Sequence, residues 1–306
     1  MSAPTRVPSS PPGESPLQHS PSLHWTHQQG WFHADEPLVV ESPLAIEIAY
    51  PRSGHELRKV LAVTMRTPGH DADLALGFLF AEGLIASPDD ILSNTAHAEN
   101  IRGDSIATQR VQLRHAPRED LQRISRGLLT SSACGLCGRV SLEGLPTSSP
   151  LSAPSSPAFA ISPEHLSRLP DTLRATQSLF AETGGSHGAA LVDFHGQLLL
   201  AREDVGRHNA VDKLLGAALR QNLIAAQHLL VLSSRASFEL LQKAAVFGLP
   251  LVIAVGAPSS LAVSVAHQAG ITLVGFARDG RFNVYTHADR LALAPSTPCR
   301  SPLAGD

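Results

Sequence analysis

The feature that most constrains this fold is the alternation of apolar strand-type segments with amphipathic helical ones between residues 189 and 285. Residues 189–194 and 197–201 read as two strands of a hairpin about His195-Gly196. Residues 208–219 put Val211, Leu214, Leu215, Ala218 and Leu219 on one helical face. Strands are then expected at 229–232, 251–255 and 271–276, helices at 237–247 and 261–269, and a last strand at 282–285. Such alternation across short connections predicts an α/β sheet covered by helices.

The first half reads as a smaller α+β unit. Strands at 43–49 and 57–65 lead into Arg66-Thr67-Pro68-Gly69, which breaks the second. A helix follows at 71–85, with Asp71 and Asp73 in its first turn and Gly83 as its stop. Its middle is apolar nearly all round, so it should be buried. Residues 110–113 suggest a strand, 119–129 a helix, and 165–180 a further helix. Three segments are too poor in large apolar residues to bury anything. The expected organisation is therefore a disordered Pro/Ser-rich tail at 1–24, an N-terminal subdomain at 25–143, a Ser/Pro-rich linker or loop at 144–162, an α/β subdomain at 163–293 and a disordered tail at 294–306.

The 24 Lys and Arg nearly balance 27 Asp and Glu, and no block of like charge occurs, so neither a nucleic-acid nor an anionic-membrane surface is expected. Any anion must be held locally. Three cysteines cannot build the disulfide framework of a secreted domain, and Cys299 in the last segment reads as incidental. No apolar run suits a signal-peptide core or a membrane span, so a cytoplasmic protein is expected.

Ligands of open α/β sheets bind outside the carboxyl ends of the strands. Those ends should carry Ser233-Ser234-Arg235-Ala236-Ser237, Gly256-Ala257-Pro258-Ser259-Ser260 and Phe276-Ala277-Arg278-Asp279-Gly280-Arg281. Hydroxyls, arginines and free N–H groups at helix starts suit phosphate, although N-capping serines explain part of the pattern. Neither a Gly-rich dinucleotide fingerprint nor a P-loop is present. The densest polar run is Glu203-Asp204-Val205-Gly206-Arg207-His208-Asn209-Ala210-Val211-Asp212-Lys213, which reads as a network that holds a ligand or shapes a thiolate site; a solvated turn is the alternative. His187 is a candidate addition to it.

Cys134 and Cys137 stand at C-x-x-C spacing between small residues, in Ser131-Ser132-Ala133-Cys134-Gly135-Leu136-Cys137-Gly138-Arg139. Such a pair can share a metal, form a reversible disulfide or carry a reactive sulfur. His97-Ala98-Glu99 upstream imitates the zinc deaminase signature, but Ala133 stands where that signature has proline, and residues 100–104 read as a turn where it needs a helix. A thioredoxin-type motif fits poorly, because no strand and no aromatic residue precede Cys134.

Taken together, these motifs resemble the FdhD/NarQ family of formate dehydrogenase accessory sulfurtransferases. The likeness runs from about Glu36 to Arg290 through Glu36-Pro37-Leu38, Met65 to Gly69, Leu76-Gly77-Phe78-Leu79, the cysteine motif, Thr183 to His187, Glu203 to Lys213, Ser234 to Ser237 and Arg281 to Thr286. Ser234 stands where the family's pattern has glycine. The resemblance implies a cytidine deaminase-like three-layer sheet with helices, and a persulfide on Cys134 received from a cysteine desulfurase. The sulfur would pass to the bis-molybdopterin guanine dinucleotide cofactor of formate dehydrogenase, with Cys137 as second acceptor or disulfide partner. The cofactor would be held by Phe276, Ala277, Arg278, Asp279, Gly280 and Arg281, to which the strand-end loops and the polar run read above add Ser234, Arg235, Ser237, Ser259, Asp204, Arg207, His208 and Lys213. A homodimer is implied, and no structural metal is expected. The alternatives carried forward are a zinc-dependent hydrolase and a non-catalytic cofactor chaperone.

Overall fold

The computed structural model describes residues 14–101, 104–117 and 161–291. Two strands, β1 (Leu17–Thr26) and β2 (Gly30–Val39), pair as an antiparallel ribbon. Next come β3 (Ser42–Arg52), β4 (His55–Arg66), helix α1 (Asp71–Ala81), β5 (Ile91–Ile101) and β6 (Asp104–Leu113). Their four strands form one sheet in the order β4-β3-β6-β5. The second half consists of α2 (Pro163–Thr176), α3 (Ser178–Thr183), β7 (His187–Asp193), β8 (Leu198–Asp204), α4 (Arg207–Arg220), β9 (His228–Leu232), α5 (Phe238–Phe247), β10 (Leu251–Ala254), α6 (Ser260–Gln268), β11 (Thr272–Arg278) and β12 (Arg281–Val284).

These six strands make the main sheet, in the order β12-β11-β10-β9-β7-β8. Strands β9, β10 and β11 run parallel, and β7 is antiparallel to both β8 and β9. The carboxyl ends of β8, β9, β10 and β11 therefore share one edge with the start of β7.

Both faces of this sheet are covered, giving the expected three layers. Leu214 of α4, Leu241 of α5 and Val265 of α6 pack with Leu191, Leu230, Val252 and Leu273 on one face. Leu166, Leu169 and Leu173 of α2 pack with Val192, Val231, Ile253 and Val274 on the other. Successive residues of β9 thus serve opposite cores, which is why these strands read as unbroken apolar runs.

Helix α1 is buried from two sides. Leu74, Phe78 and Leu79 join Leu44, Ile46, Ile48 and Val111 of the four-stranded sheet. Its opposite side meets α4 at backbone distance: a Cβ on Gly77 would lie 1.9 Å from the Asp212 carbonyl oxygen, and one on Gly216 would lie 1.8 Å from that of Asp73. Only glycine permits this approach.

Some sequence expectations need correction. Residues 17–24, assigned to a disordered tail, lie within β1, paired from Leu17↔Val39 to Thr26↔Gly30. Pro21 and Pro37 disguise these strands, and proline is tolerated where a ribbon has open edges. The helix expected at 165–180 is two helices, because Gln177 leaves helical geometry and the Glu203 carboxylate accepts bonds from Leu179 N and Phe180 N at 3.1 and 3.0 Å. The linker ends earlier than residue 162, since Ile161 is in the core and Ser162 caps α2. The helix expected at 119–129, the cysteine motif, the rest of the linker and the last tail lie outside the described residues.

Intrinsic helix propensity favours Ala over Gly by about 1 kcal/mol in a helix interior. Contact at less than 2 Å reverses that sign, and overpacking of this kind costs roughly 1–3 kcal/mol or more. Gly77→Ala and Gly216→Ala should each lower the urea midpoint. An unchanged or higher midpoint would disprove the close crossing.

Candidate ligand site at one edge of the six-stranded sheet

The loops at the shared edge are bonded to one another. Val255 N donates to Leu232 O, Gly256 N to Ser234 O, Ser259 N to Ala236 O and Phe276 N to Gly256 O, at 3.0 to 3.1 Å. A Cβ on Gly256 would come within 2.8 Å of Arg235 Cγ, so this glycine lets two loops touch. The segments 233–237, 255–259 and 276–281 thus form one continuous surface, as the strand-end argument expected.

The last of these segments is less of a loop than its sequence suggests. Asp279 and Gly280 both have positive φ, 54° and 70°, and Arg278 pairs with Arg281. This is the two-residue hairpin turn that Asp-Gly favours. Arg278, Asp279, Gly280 and Arg281 are exposed at its tip, whereas Ala277 is buried. Phe276 has φ 53° at a register shift between Gly275 and Arg278, a bulge that re-aims its side chain.

The serines divide by role. Ser259 caps α6, accepting from Ala262 N at 3.2 Å. Ser234 is buried and donates to the Arg235 carbonyl at 3.0 Å. The hydroxyl of Ser237 makes no cap bond although the residue stands before α5. Arg235 is exposed beside them.

Asp204, Arg207, His208 and Lys213 enter the same edge through β8 and α4. Asp204 Oδ2 accepts from Thr67 N at 3.1 Å and Lys213 Nζ at 2.7 Å, while Oδ1 accepts from Gly206 N at 2.8 Å and Asn209 Nδ2 at 3.2 Å. Burial pushes its carboxyl up, against the pull of Lys213. Lys213 also donates to Thr67 O at 2.7 Å. Both side chains are buried and spent on this joint, through which they hold the turn at the end of β8. Glu203 is likewise spent on the start of α3 and on Ser186.

Arg207 and His208 open α4. Desolvation, with Lys243 and Arg207 nearby, pushes the His208 imidazole down to about 4, against Glu239. Its Nε2 lies 3.8 Å from Glu239 Oε2 in the first turn of α5. Lys243, one turn on, bonds Asp212 at 2.7 and 2.9 Å, and burial raises that carboxyl to about 6. His187 begins β7 opposite Asp204, and burial followed by Arg207 pushes it down.

A cleft of ≈ 500 Å³ lies beside β8, lined by Thr67, His70, Leu179, Arg202, Glu203 and Lys213 among others, so it adjoins the Asp204–Lys213 joint. Of its charged groups, Arg202 bonds Asp73 at 3.1 Å, and Glu203 caps α3.

Residues 39–292 match the FdhD/NarQ family. The chain belongs to that family. A protein named sulfur carrier protein FdhD from Streptomyces coelicolor is 46% identical over 262 residues, which cover 84% of this chain and 90% of that protein. Another of the same name from Mycobacterium tuberculosis is 42% identical over 262 residues, 84% of this chain and 92% of that one. A solved structure from Desulfotalea psychrophila, assigned as a formate dehydrogenase accessory protein, superposes with a TM-score of 0.66 at 23% identity, covering 90% of this chain and all of that one. At that identity the superposition speaks for the fold.

Within the FdhD/NarQ span, His97 lies on strand β5, 3.6 Å from Glu47, not on the helix a zinc deaminase site needs. Among the described residues no group of three or more His, Cys, Asp or Glu side chains has metal-binding geometry. Cys134 and Cys137 lie outside the described residues.

Sequence reasoning missed the residues that hold the polar run in place. Thr64, Met65 and Thr67 make five hydrogen bonds to Asp204, Val205, Asn209 and Lys213. Glu239 and Lys243, which set the charge around His208, were also missed. A contact across some 140 residues leaves no local pattern to read.

The fold accepts His208 as the neutral ring. Between pH 6.5 and about 4 the unfolded chain therefore binds the proton first, and this contribution to stability is lost as the pH falls. The stability of the parent relative to His208→Gln should drop by roughly 3 kcal/mol across that window. A difference that stays constant with pH would refute the buried neutral ring.

Proposed function

We propose that this protein carries sulfur as a persulfide on Cys134, taking it from a cysteine desulfurase and delivering it to the bis-molybdopterin guanine dinucleotide cofactor of a formate dehydrogenase. The observation that carries this reading is the family match over residues 39–292, which includes the C-x-x-C motif, with relatives named as sulfur carriers at 42–46% identity. The sheet edge adds physical support. It gathers arginines, hydroxyls and helix starts at one rim, as phosphate-bearing ligands require. In this reading Arg278 and Arg281 at the hairpin tip, with Arg235, meet phosphate charge, and Phe276 to Gly280 line the bound cofactor, which is a substrate here.

The sulfur steps balance without an outside oxidant. The Cys134 thiolate attacks the outer sulfur of the desulfurase persulfide, a new S–S bond forms on Cys134, and the donor cysteine leaves as thiolate. Attack of the Cys137 thiolate on the inner sulfur of the Cys134 persulfide then expels the outer sulfur as sulfide. That sulfur gains two electrons while the cysteine pair becomes a disulfide, and a dithiol reductant resets it. The reaction belongs in the cytoplasm, where thiols stay reduced, and the protein acts as a homodimer.

Incubation with a cysteine desulfurase and cysteine should add one sulfur to the peptide containing Cys134. Cys134→Ala should lose both that mass gain and the activation of formate dehydrogenase. A Cys134→Ala protein that still takes up the sulfur and still activates the enzyme would overturn the proposal.

A further inference from the structure

Both tryptophans of the chain, Trp25 and Trp31, lie on the β1–β2 ribbon and are 58% and 69% exposed. They pair directly across the two strands, and Leu23, 56% exposed, comes next on the same face opposite His33. The other face carries Ser22, His24, Phe32 and Ala34 and is half-buried. Folding alone would place the large apolar side chains on the covered face. Here the largest stand on the open one. Among the described residues, none of 17–39 belongs to the three apolar cores, so the interior of the protein makes no use of them.

The ribbon's edges are blunted against strand addition. A proline keeps its place in a paired ribbon where the missing N–H would point outward, so Pro21 and Pro37 remove an outward donor from each edge. A partner must therefore seat on the face. A whole tryptophan buries up to about 250 Å², so the two indoles hold open roughly 300 Å². That is under half of the roughly 800 Å² per partner of a standard stable interface, too little for two ribbons to hold two copies together, and it suits a transient contact. The charge of the ribbon is one-sided. Asp35 and Glu36 are its carboxylates, 3.3 Å from His19 and 2.9 Å from His24, and residues 17–39 contain no Lys or Arg. The complementary partner offers an apolar patch rimmed by cations, which an anionic membrane does not.

The root of the ribbon lies at the ligand edge. A Cβ on Gly185 would come within 2.8 Å of Val39 Cγ1 at the end of β2, and just beyond Gly185 His187 opens β7 opposite Asp204. From Leu17 at this root to Thr26 at the tip the ribbon is about 30 Å long, so a protein seated on the tryptophans stands beside the rim. A protein that takes over a phosphate-bearing cofactor needs cations at its opening. We propose that Leu23, Trp25 and Trp31 dock the cofactor-free formate dehydrogenase and hold this acceptor next to the edge from which it receives the cofactor. The identity of the partner rests on the function proposed above; the docking face does not.

Interferometry of cofactor-free formate dehydrogenase from the same organism, against the immobilised full-length protein and its Trp25→Ser/Trp31→Ser double variant, tests the dock. The double variant should bind roughly 10- to 100-fold more weakly, while it still gains one sulfur on Cys134 from the desulfurase. Equal binding by parent and variant overturns the docking face and leaves the formate dehydrogenase reading standing. A double variant that sediments as a monomer where the parent is a dimer also overturns it, because the face then joins two copies. The same holds if phosphatidylcholine vesicles shift the parent's tryptophan emission to the blue and the enzyme binds the variant unchanged. A parent that gains sulfur but binds no formate dehydrogenase removes that partner from the reading, and the dock with it.

Discussion

The crossing of α1 over α4 at Gly77 and Gly216 is the constraint on which the rest of the molecule depends. It lets two backbones meet where any side chain would collide, and so sets how closely the four-stranded unit approaches the main sheet. Because α1 begins directly after the 66–70 turn, that approach brings Thr67 onto Asp204 at the end of β8. Arg66 fixes the turn from the other side through two bonds of 2.9 Å to Asp71, while Asp73 receives Arg202 and Arg220 from the second half. The buried Lys213–Asp204 pair is costly in desolvation and repays it only through the full set of bonds around it. Its product is a fixed strand-to-helix turn, and Arg207 and His208 stand on that turn.

This explains how a chain with nearly balanced charge can carry a local excess of arginine, as the proposed anion site needs. The charge is local. Asp204, Lys213, Asp212, Asp73 and Arg66 are neutralised in pairs within the joint, which leaves Arg207, Arg235, Arg278 and Arg281 along one rim. The low proton affinities of His187 and His208 report the same rim, since both are depressed by desolvation and then by neighbouring cations.

Much of the α/β half was legible in the residues because β7, β9, β10 and β11 are buried on both faces and α2, α5 and α6 mainly on one. Those patterns survive in a single sequence. Residues 17–24 were misread because Pro21 and the many polar residues hide a ribbon with little core to announce it. The split at Gln177 was invisible because its cause, the Glu203 carboxylate, lies 26 residues away. Site residues were found where chemistry clusters along the chain, in 203–213 and 276–281. Their division of labour was not, because nothing local tells Asp204 and Lys213, which turn inward on Thr67, from Arg207 and His208. Glycines 77 and 216 looked like ordinary helix residues, and only the tertiary contact gives them meaning.

The central claim is that one rim of the main sheet receives a phosphate-bearing ligand. Hydrogen–deuterium exchange with and without guanosine diphosphate measures this most directly. Protection of 205–209, 233–240, 255–260 and 276–281, with 173–179 on the far side of the cleft beside β8 unchanged, is the result expected. Protection confined to 173–179, or none at saturating ligand, would contradict the claim.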